Sequence, residues 1–383
     1  MKKLFFIYLI MLCSFNVFAQ QDEKEHIELS GYIKYLNAFS FVDRLEQLEW
    51  TSLLHNRLNL KYTPSNAILM RLEFRNRAFY GNGIKNTYGF SDLISYDNGM
   101  VDLSWNIIDN GNFILNTTID RALINYTKAK WDITIGRQRV NWGINLVWNP
   151  NDIFNTYNFL EFDYEERPGC DAIRVQYYLG DFNKIELVAK MGKYSNDNNL
   201  AVMYKFNEWS YDIQFITGIY KKDWVIGTGW AGNLKNAGFK GEASYFVPFE
   251  SYINSENVLS ASISVDYGFK KGLYLNGSIL YTSGVEKSTN SIENLLNTVL
   301  SAKYLMPFEF SGFLQLAKAF TPIFSGTASI IYSPTNQSLI IIPNIKYSLA
   351  DDWEVDVIGQ SFFEFEDYHC LGNNLFIRLR WSF

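Results

Sequence analysis

The chain has 383 residues, 34 of them basic and 40 acidic, for a formal net charge of −6. That acidic balance argues against a nucleic-acid partner, because counterion release from phosphates needs a basic surface. Aromatic residues make up 17% of the chain, and its three cysteines are too few for a disulfide scaffold.

The first element is a targeting segment. Lys2 and Lys3 form a basic start, Leu4 to about Phe15 is almost wholly apolar, and Val17-Phe18-Ala19 puts small residues at the cleavage positions. The apolar run is too short to span a bilayer comfortably as a helix. A signal peptide over 1–19 is expected, with a single mature domain over 20–383.

From there the pattern is two-residue alternation. Leu54, Leu58 and Leu60 oppose His55, Arg57, Asn59 and Lys61, while Arg71, Glu73, Arg75 and Arg77 interleave with Leu72 and Phe74. Segments of roughly 9–15 residues, long enough for a tilted strand to cross a bilayer, fall near 26–41, 50–64, 66–79, 116–129, 131–140, 170–180, 184–193, 199–206 and 209–220. They continue near 223–234, 236–247, 256–268, 272–284, 308–318, 320–332, 337–348, 352–364 and 374–383. The long gaps, 80–115, 141–169, 248–255, 285–307 and 365–373, all fall on one side of the membrane if the strands alternate in direction. The other side has tight turns such as 64–66 and 128–130. The fold class is therefore all-β: a transmembrane antiparallel up-and-down β-barrel of about 18 strands, or 16 at a lower count. It has short periplasmic turns and long extracellular loops. Leu375, Ile377, Leu379, Trp381 and Phe383 share one face of the final strand, an end that barrel-assembly machinery would recognise.

In such a barrel the apolar face meets outer-membrane lipid and charged residues point into the lumen, since Arg or Lys at the bilayer midplane costs about 2–4 kcal/mol. Arg71, Glu73, Arg75 and Arg77 are lumen residues by this rule. The stretch GRQRVNWGINLVWNPND over 136–152 breaks the alternation, because Arg137 and Arg139 continue the face of Trp131, Ile133 and Ile135. A bend at Gly136 would re-aim them inward, or set them at the rim. The 141–169 loop that follows carries Trp142, Trp148, Phe154, Tyr157, Phe159, Phe162 and Tyr164, too many rings for a loop in water. Asp152, Glu161, Asp163, Glu165 and Glu166 make its second half acidic, beside Arg167. Two placements stay open: a lid packed on the rim, or a loop folded into the lumen as a constriction. In the second, rings pack on the inner wall and carboxylates face the arginines, giving a transverse field that orients a charged solute. The candidate pore-lining set joins the four wall residues, Arg137 and Arg139 to Trp142, Trp148, Asp152, Glu161, Asp163, Glu165, Glu166 and Arg167.

GRQRVNWG at 136–143, NPND at 149–152 and LFIRLRWSF at 375–383 resemble the porin-type outer-membrane barrels of Gram-negative bacteria, as do the hairpins over 320–334 and 339–353. Phosphate-selective and alginate-export barrels are the named relatives in this resemblance. It implies a channel for passive diffusion or export of small polar or charged solutes, narrowed by the third external loop, and it implies no particular solute.

A surface-polysaccharide binding or assembly barrel would use the same tryptophans and asparagines to hold an oligosaccharide, and is the alternative. His26, His55 and His369 are scattered and no nucleophile motif lies near them, so neither an enzyme nor a metal or other cofactor is expected. Cys170 and Cys370 lie on the same side of the membrane, so a disulfide is geometrically allowed. A homo-oligomer is left open, as for porins generally.

Overall fold

The computed structural model describes residues 26–42, 48–156, 159–161, 163, 166–249, 256–285, 300–365 and 369–383. The expected signal peptide lies outside them, as do Tyr157, Phe162, Tyr164 and Glu165 of the loop. Nineteen strands are present among the described residues. They are β1 (Ile27–Phe41), β2 (Glu49–Ser65), β3 (Ile68–Gly81), β4 (Ser104–Asp109), β5 (Phe113–Lys128), β6 (Trp131–Gln138), β7 (Cys170–Tyr178), β8 (Lys184–Met191), β9 (Asn199–Glu208) and β10 (Tyr211–Tyr220). Then come β11 (Asp223–Leu234), β12 (Ala237–Pro248), β13 (Val258–Gly268), β14 (Leu273–Thr282), β15 (Phe310–Thr321), β16 (Phe324–Ser333), β17 (Ser338–Ala350), β18 (Trp353–Glu364) and β19 (His369–Ser382).

Eighteen of them close a ring of antiparallel neighbours, with β3 paired directly to β5 and β1 to β19. Gly31 and Phe383 complete the closure by exchanging backbone hydrogen bonds of 2.9 and 3.0 Å. Closure leaves no strand edge unpaired in lipid, which a sheet in a bilayer requires. Among the described residues no helix is long and apolar enough to cross a membrane. The strands make the crossing, and alternation along them sorts the faces. On β2, Leu54 is 48% exposed on the outer surface while His55 and Arg57 are each 1% exposed inside. Two-residue turns such as Ala129-Lys130, Trp209-Ser210 and Lys235-Asn236 close one end of the barrel. Ala129, Trp209, Ser210 and Lys235 there adopt the left-handed backbone that tight hairpins demand.

The region 80–115, expected as a plain external loop, carries two short helices, α1 (Asn82–Asn86) and α2 (Phe90–Ser95), and then β4. The reason lies in β6. It pairs with β5 only from Ala122 to Lys128 and leaves the wall at Gln138, stranding the upper edge of β5. β4 pairs with that edge, from Ser104 opposite Thr118 to Asp109 opposite Ile114, and so covers it. β5 also holds a bulge. Glu73 pairs with Arg121 and Phe74 with Ile119, leaving Asp120 as the extra residue, and both Asp120 and Arg121 are buried.

Candidate functional site

The described residues of 139–169 do not stand above the barrel. They lie in its interior and touch both sides of the lumen. Val140, Trp142, Ile153 and Phe154 pack with Ala172, Val188, Met203 and Ile216 of β7 to β10. Val147 and Trp148 pack with Leu280, Phe313, Ile331 and Ile340 of β14 to β17. The ring-rich half of the loop is thereby dehydrated against the wall, the step that the hydrophobic effect drives.

The polar anchors of this half come from short or single side chains on β8 to β13. The carboxyl group of Glu242 accepts the backbone N–H groups of Ile144, Asn145 and Asn151 at 2.5, 2.7 and 3.0 Å. Ser244 Oγ donates to Asn151 Oδ1, Ser264 Oγ to Asn145 Oδ1, and Ser262 Oγ to the Trp148 carbonyl, all at 2.8–2.9 Å. Trp142 Nε1 donates to Glu186 at 2.9 Å, and Gln214 donates to the Trp142 carbonyl at 2.7 Å. Gly143 is required here, since a Cβ would stand 2.5 Å from Asn149 Oδ1. Asp152 is fully buried, with the Trp142 backbone N–H as the hydrogen-bond donor near its carboxyl. Burial and the nearby Glu242 push its carboxyl up to about 8, against the downward pull of Arg139 and Arg167.

The acidic half of the loop meets the opposite wall. Asp163 lies 3.0 Å from Lys34 Nζ, 3.3 Å from His55 Nδ1 and 3.9 Å from Arg378. Burial would raise its carboxyl, but the His55 hydrogen bond and the Lys34 charge outweigh burial and hold it down at about 2. Glu166 accepts the Tyr32 hydroxyl at 3.0 Å and lies 3.9 Å from Arg57. Arg57 itself is clamped between Asp120 and Glu73, each at 2.5 Å. Because of the bulge, Arg121 also reaches inward, where its guanidinium donates to the carbonyls of Glu166 and Arg167 at 2.9 and 2.8 Å. Arg380 stacks over the Tyr32 ring at 4.7 Å. Lys34, Arg57, Arg75, Arg121 and Arg378 thus form a basic wall on β1, β2, β3, β5 and β19, facing the loop carboxylates.

The residues singled out from the sequence fall in several places. Arg75 lies beside Asp120, and Arg77 donates to the Ile94 carbonyl of α2 and to Asn116 at 2.7 and 2.8 Å. Arg71 is exposed, 4.0 Å from Glu73. Glu161 is exposed and close enough to Arg75 and Arg77 for their charges to act on it. Trp142 and Trp148 are buried against the wall rather than edging open space.

Arg137 is apart from all of these. It pairs in register with Asp171, which shares the outward face of Ile173 and Val175. Its guanidinium donates to Asp171 at 2.7 and 2.9 Å, to Asp97 at 2.5 Å and to the Val101 carbonyl at 2.7 Å. Gly136 does adopt a positive φ of 114°, yet the register runs through it and keeps Arg137 on the outer side, roofed by residues 97–103. Gly99 belongs to that roof, where a Cβ would fall 2.0 Å from Arg137 Nη2 and 2.6 Å from Asp171 Oδ2 and so would displace the ion pair. Cys170 and Cys370 are both free thiols. Among the described residues, no cluster of three or more His, Cys, Asp or Glu is placed to hold a metal.

Lys34, Arg57, Arg121, Arg378 and Glu242 stand out only once the loop is in place. Alternation puts Arg57 and Arg378 inside, but nothing local marks which lumen charge the loop will reach.

No protein-family model matches the chain, and no curated protein sequence does. Its fold matches solved outer-membrane channels. OccAB4 of Acinetobacter baumannii superposes with a TM-score of 0.58 at 9% identity, over 95% of this chain and 100% of that one. OccK2 (OpdF) of Pseudomonas aeruginosa in complex with glucuronate gives 0.56 at 9% identity, over 94% and 100%. OpdK of Pseudomonas aeruginosa with vanillate gives 0.54 at 9% identity, over 93% and 98%. The chain therefore has the fold of an integral outer-membrane porin-like barrel of Gram-negative type.

Proposed function

We propose that the protein is an outer-membrane channel for passive diffusion of small acidic solutes, with the loop over 141–169 as its constriction. The observation that carries this reading is the loop's acidic half lying against the basic wall at Lys34, His55 and Arg378. Asp163 and Glu166 are about a fifth exposed, while Lys34, His55 and Arg57 behind them are buried. A solute carboxylate reaches those cations by displacing a loop carboxylate, an exchange open to an anion that can make the same buried pairs. Glucuronate and vanillate, the molecules held by two of the matched barrels, are both small carboxylates. An arginine-rich wall also suits inorganic phosphate, which the same experiment distinguishes. The reading includes export under the segment 1–19 and recognition of the final strand by the barrel-assembly machinery.

Planar-bilayer recording tests it. Stepwise conductance is expected, with concentration-dependent block by glucuronate and vanillate that falls several-fold in Lys34→Gln and Arg380→Gln. Block by inorganic phosphate alone would move the solute class to phosphate. A silent bilayer together with retention of surface polysaccharide by the purified protein would instead support a polysaccharide-binding barrel.

A further inference from the structure

Over most of the barrel the exposed outward side chains at mid-height are apolar, as Ile226, Ile263, Ile279 and Leu314 show, with Thr217 opposite Ile226 a polar interruption. The neighbouring strands β1, β2, β3 and β5 differ. On β2, Asn56 shares the outward face with the exposed Leu54 and Leu60. It stands six residues from Trp50 and six from Tyr62, the outward rings toward the two ends of the strand. At about 3.3 Å per residue each ring is roughly 20 Å away along the strand, which sets Asn56 near the middle of the apolar band. Asn76 lies opposite it on β3, and Thr117 lies opposite Asn76 on β5. Hydrogen bonds follow that line. Thr117 Oγ1 donates to Asn76 Oδ1 at 2.9 Å, Asn76 Nδ2 to Asn56 Oδ1 at 3.2 Å, and Asn56 Nδ2 to the Tyr32 carbonyl at 3.4 Å. Beside this row Ser52 Oγ donates to Asn37 Oδ1 at 2.6 Å, and the Tyr35 hydroxyl donates to the same oxygen at 3.2 Å.

A carboxamide has two N–H donors and two acceptor sites. Asn56 and Asn76 each use one of both within the chain, so each presents one further donor and one further acceptor outward. Lipid tails supply neither. Thr117, Asn76, Asn56, Ser52 and Asn37 are all half-buried and Tyr35 is exposed, so the groups are within reach of a neighbour. Donors and acceptors carried in equal number on the same side chains are self-complementary, which is what a two-fold contact between identical surfaces requires. We propose that the outward face of β1, β2, β3 and β5 is where two copies of this chain associate within the membrane, with Asn56 and Asn76 hydrogen-bonded across the contact. The partner is a second copy because any other protein would have to bring a matched set of amides to the same depth.

Two experiments on the full-length protein test this. Asn56→Cys, oxidised in native outer membranes, is expected to give a cross-linked product of twice the chain mass that the parent, with only its own cysteines, does not give. Asn56→Leu combined with Asn76→Leu is expected to weaken self-association in lipid vesicles about tenfold, because single side-chain hydrogen bonds between membrane segments are modest. Conductance and solute block should be unchanged in that variant. A cross-linked product of any other mass, the absence of one, or a double variant that associates as tightly as wild type would overturn the proposal.

Discussion

The lumen has two unlike sides, and the same loop is held differently by each. From β8 to β13 the inward side chains include short ones such as Ser244, Ser262 and Ser264, which let the loop backbone come close enough to be bonded directly. On β1, β2, β3, β5 and β19 they are long cations, and the loop is held at its carboxylates through Lys34, His55 and Arg57. Buried main-chain hydrogen bonds have nothing to exchange with. The ion pairs are buried on the cation side and about a fifth exposed on the carboxylate side. One side of the barrel holds the loop by its backbone, and the other holds it by its charges.

Removing the fixed side should have the largest effect. Glu242→Ala orphans three buried N–H donors at roughly 1–3 kcal/mol each. It should lower the unfolding free energy by several kcal/mol in denaturant titrations and raise the single-channel conductance as the loop loosens. Unchanged conductance would show that the packing of Trp142 and Trp148 fixes the loop without this carboxyl group. Arg137→Gln comes next. It leaves Asp97 and Asp171 without their buried cation and should cost about 3–5 kcal/mol of stability. Ion selectivity should stay as in wild type, because the cluster lies behind the wall, and a shifted reversal potential would place Arg137 in the solute path after all. Asp152→Asn acts on the pH dependence of stability and not on the conductance. With its carboxyl held up at about 8 against an ordinary 3.8, the folded protein keeps a proton that the unfolded chain releases between those values. Stability therefore falls as pH rises from about 4 to about 8, and Asp152→Asn should flatten that fall in a pH series of melting curves.

Much of the wall was legible in the sequence, because a residue facing lipid and its neighbour facing water must differ, and that difference repeats every two residues. Its failures have local causes. β4 escaped notice because it exists only to cover an edge that β6 abandons, a need set by a partner far along the chain. The bulge in β5 left a trace. Inward polar residues fall at Asn116, Thr118 and Asp120, then at Arg121 and Asn125, so their phase slips by one at the adjacent charges. The crowding of rings in 141–169 pointed to a loop with a wall to lie on. Which cations its carboxylates meet was not readable, because Lys34 and Asp163 are 129 residues apart and joined only by the closed barrel.

The roof over Arg137 also bears on the order in which the molecule assembles. Asn98 gives its carbonyl to the backbone N–H of Lys193, and Gly99 bridges Gly192, so residues 97–103 depend on a segment made almost a hundred residues later. While the chain is being inserted, β5 can pair with β3 and β4 at once, but Asp97 and Asp171 cannot share Arg137 until β7 has arrived. Contacts between such distant parts of a chain form slowly, because a long loop must first be closed. This seam is therefore among the later parts of the wall to seal. A chain stalled before β8 would carry Arg137 on its outer face without a roof, a charge that the bilayer resists.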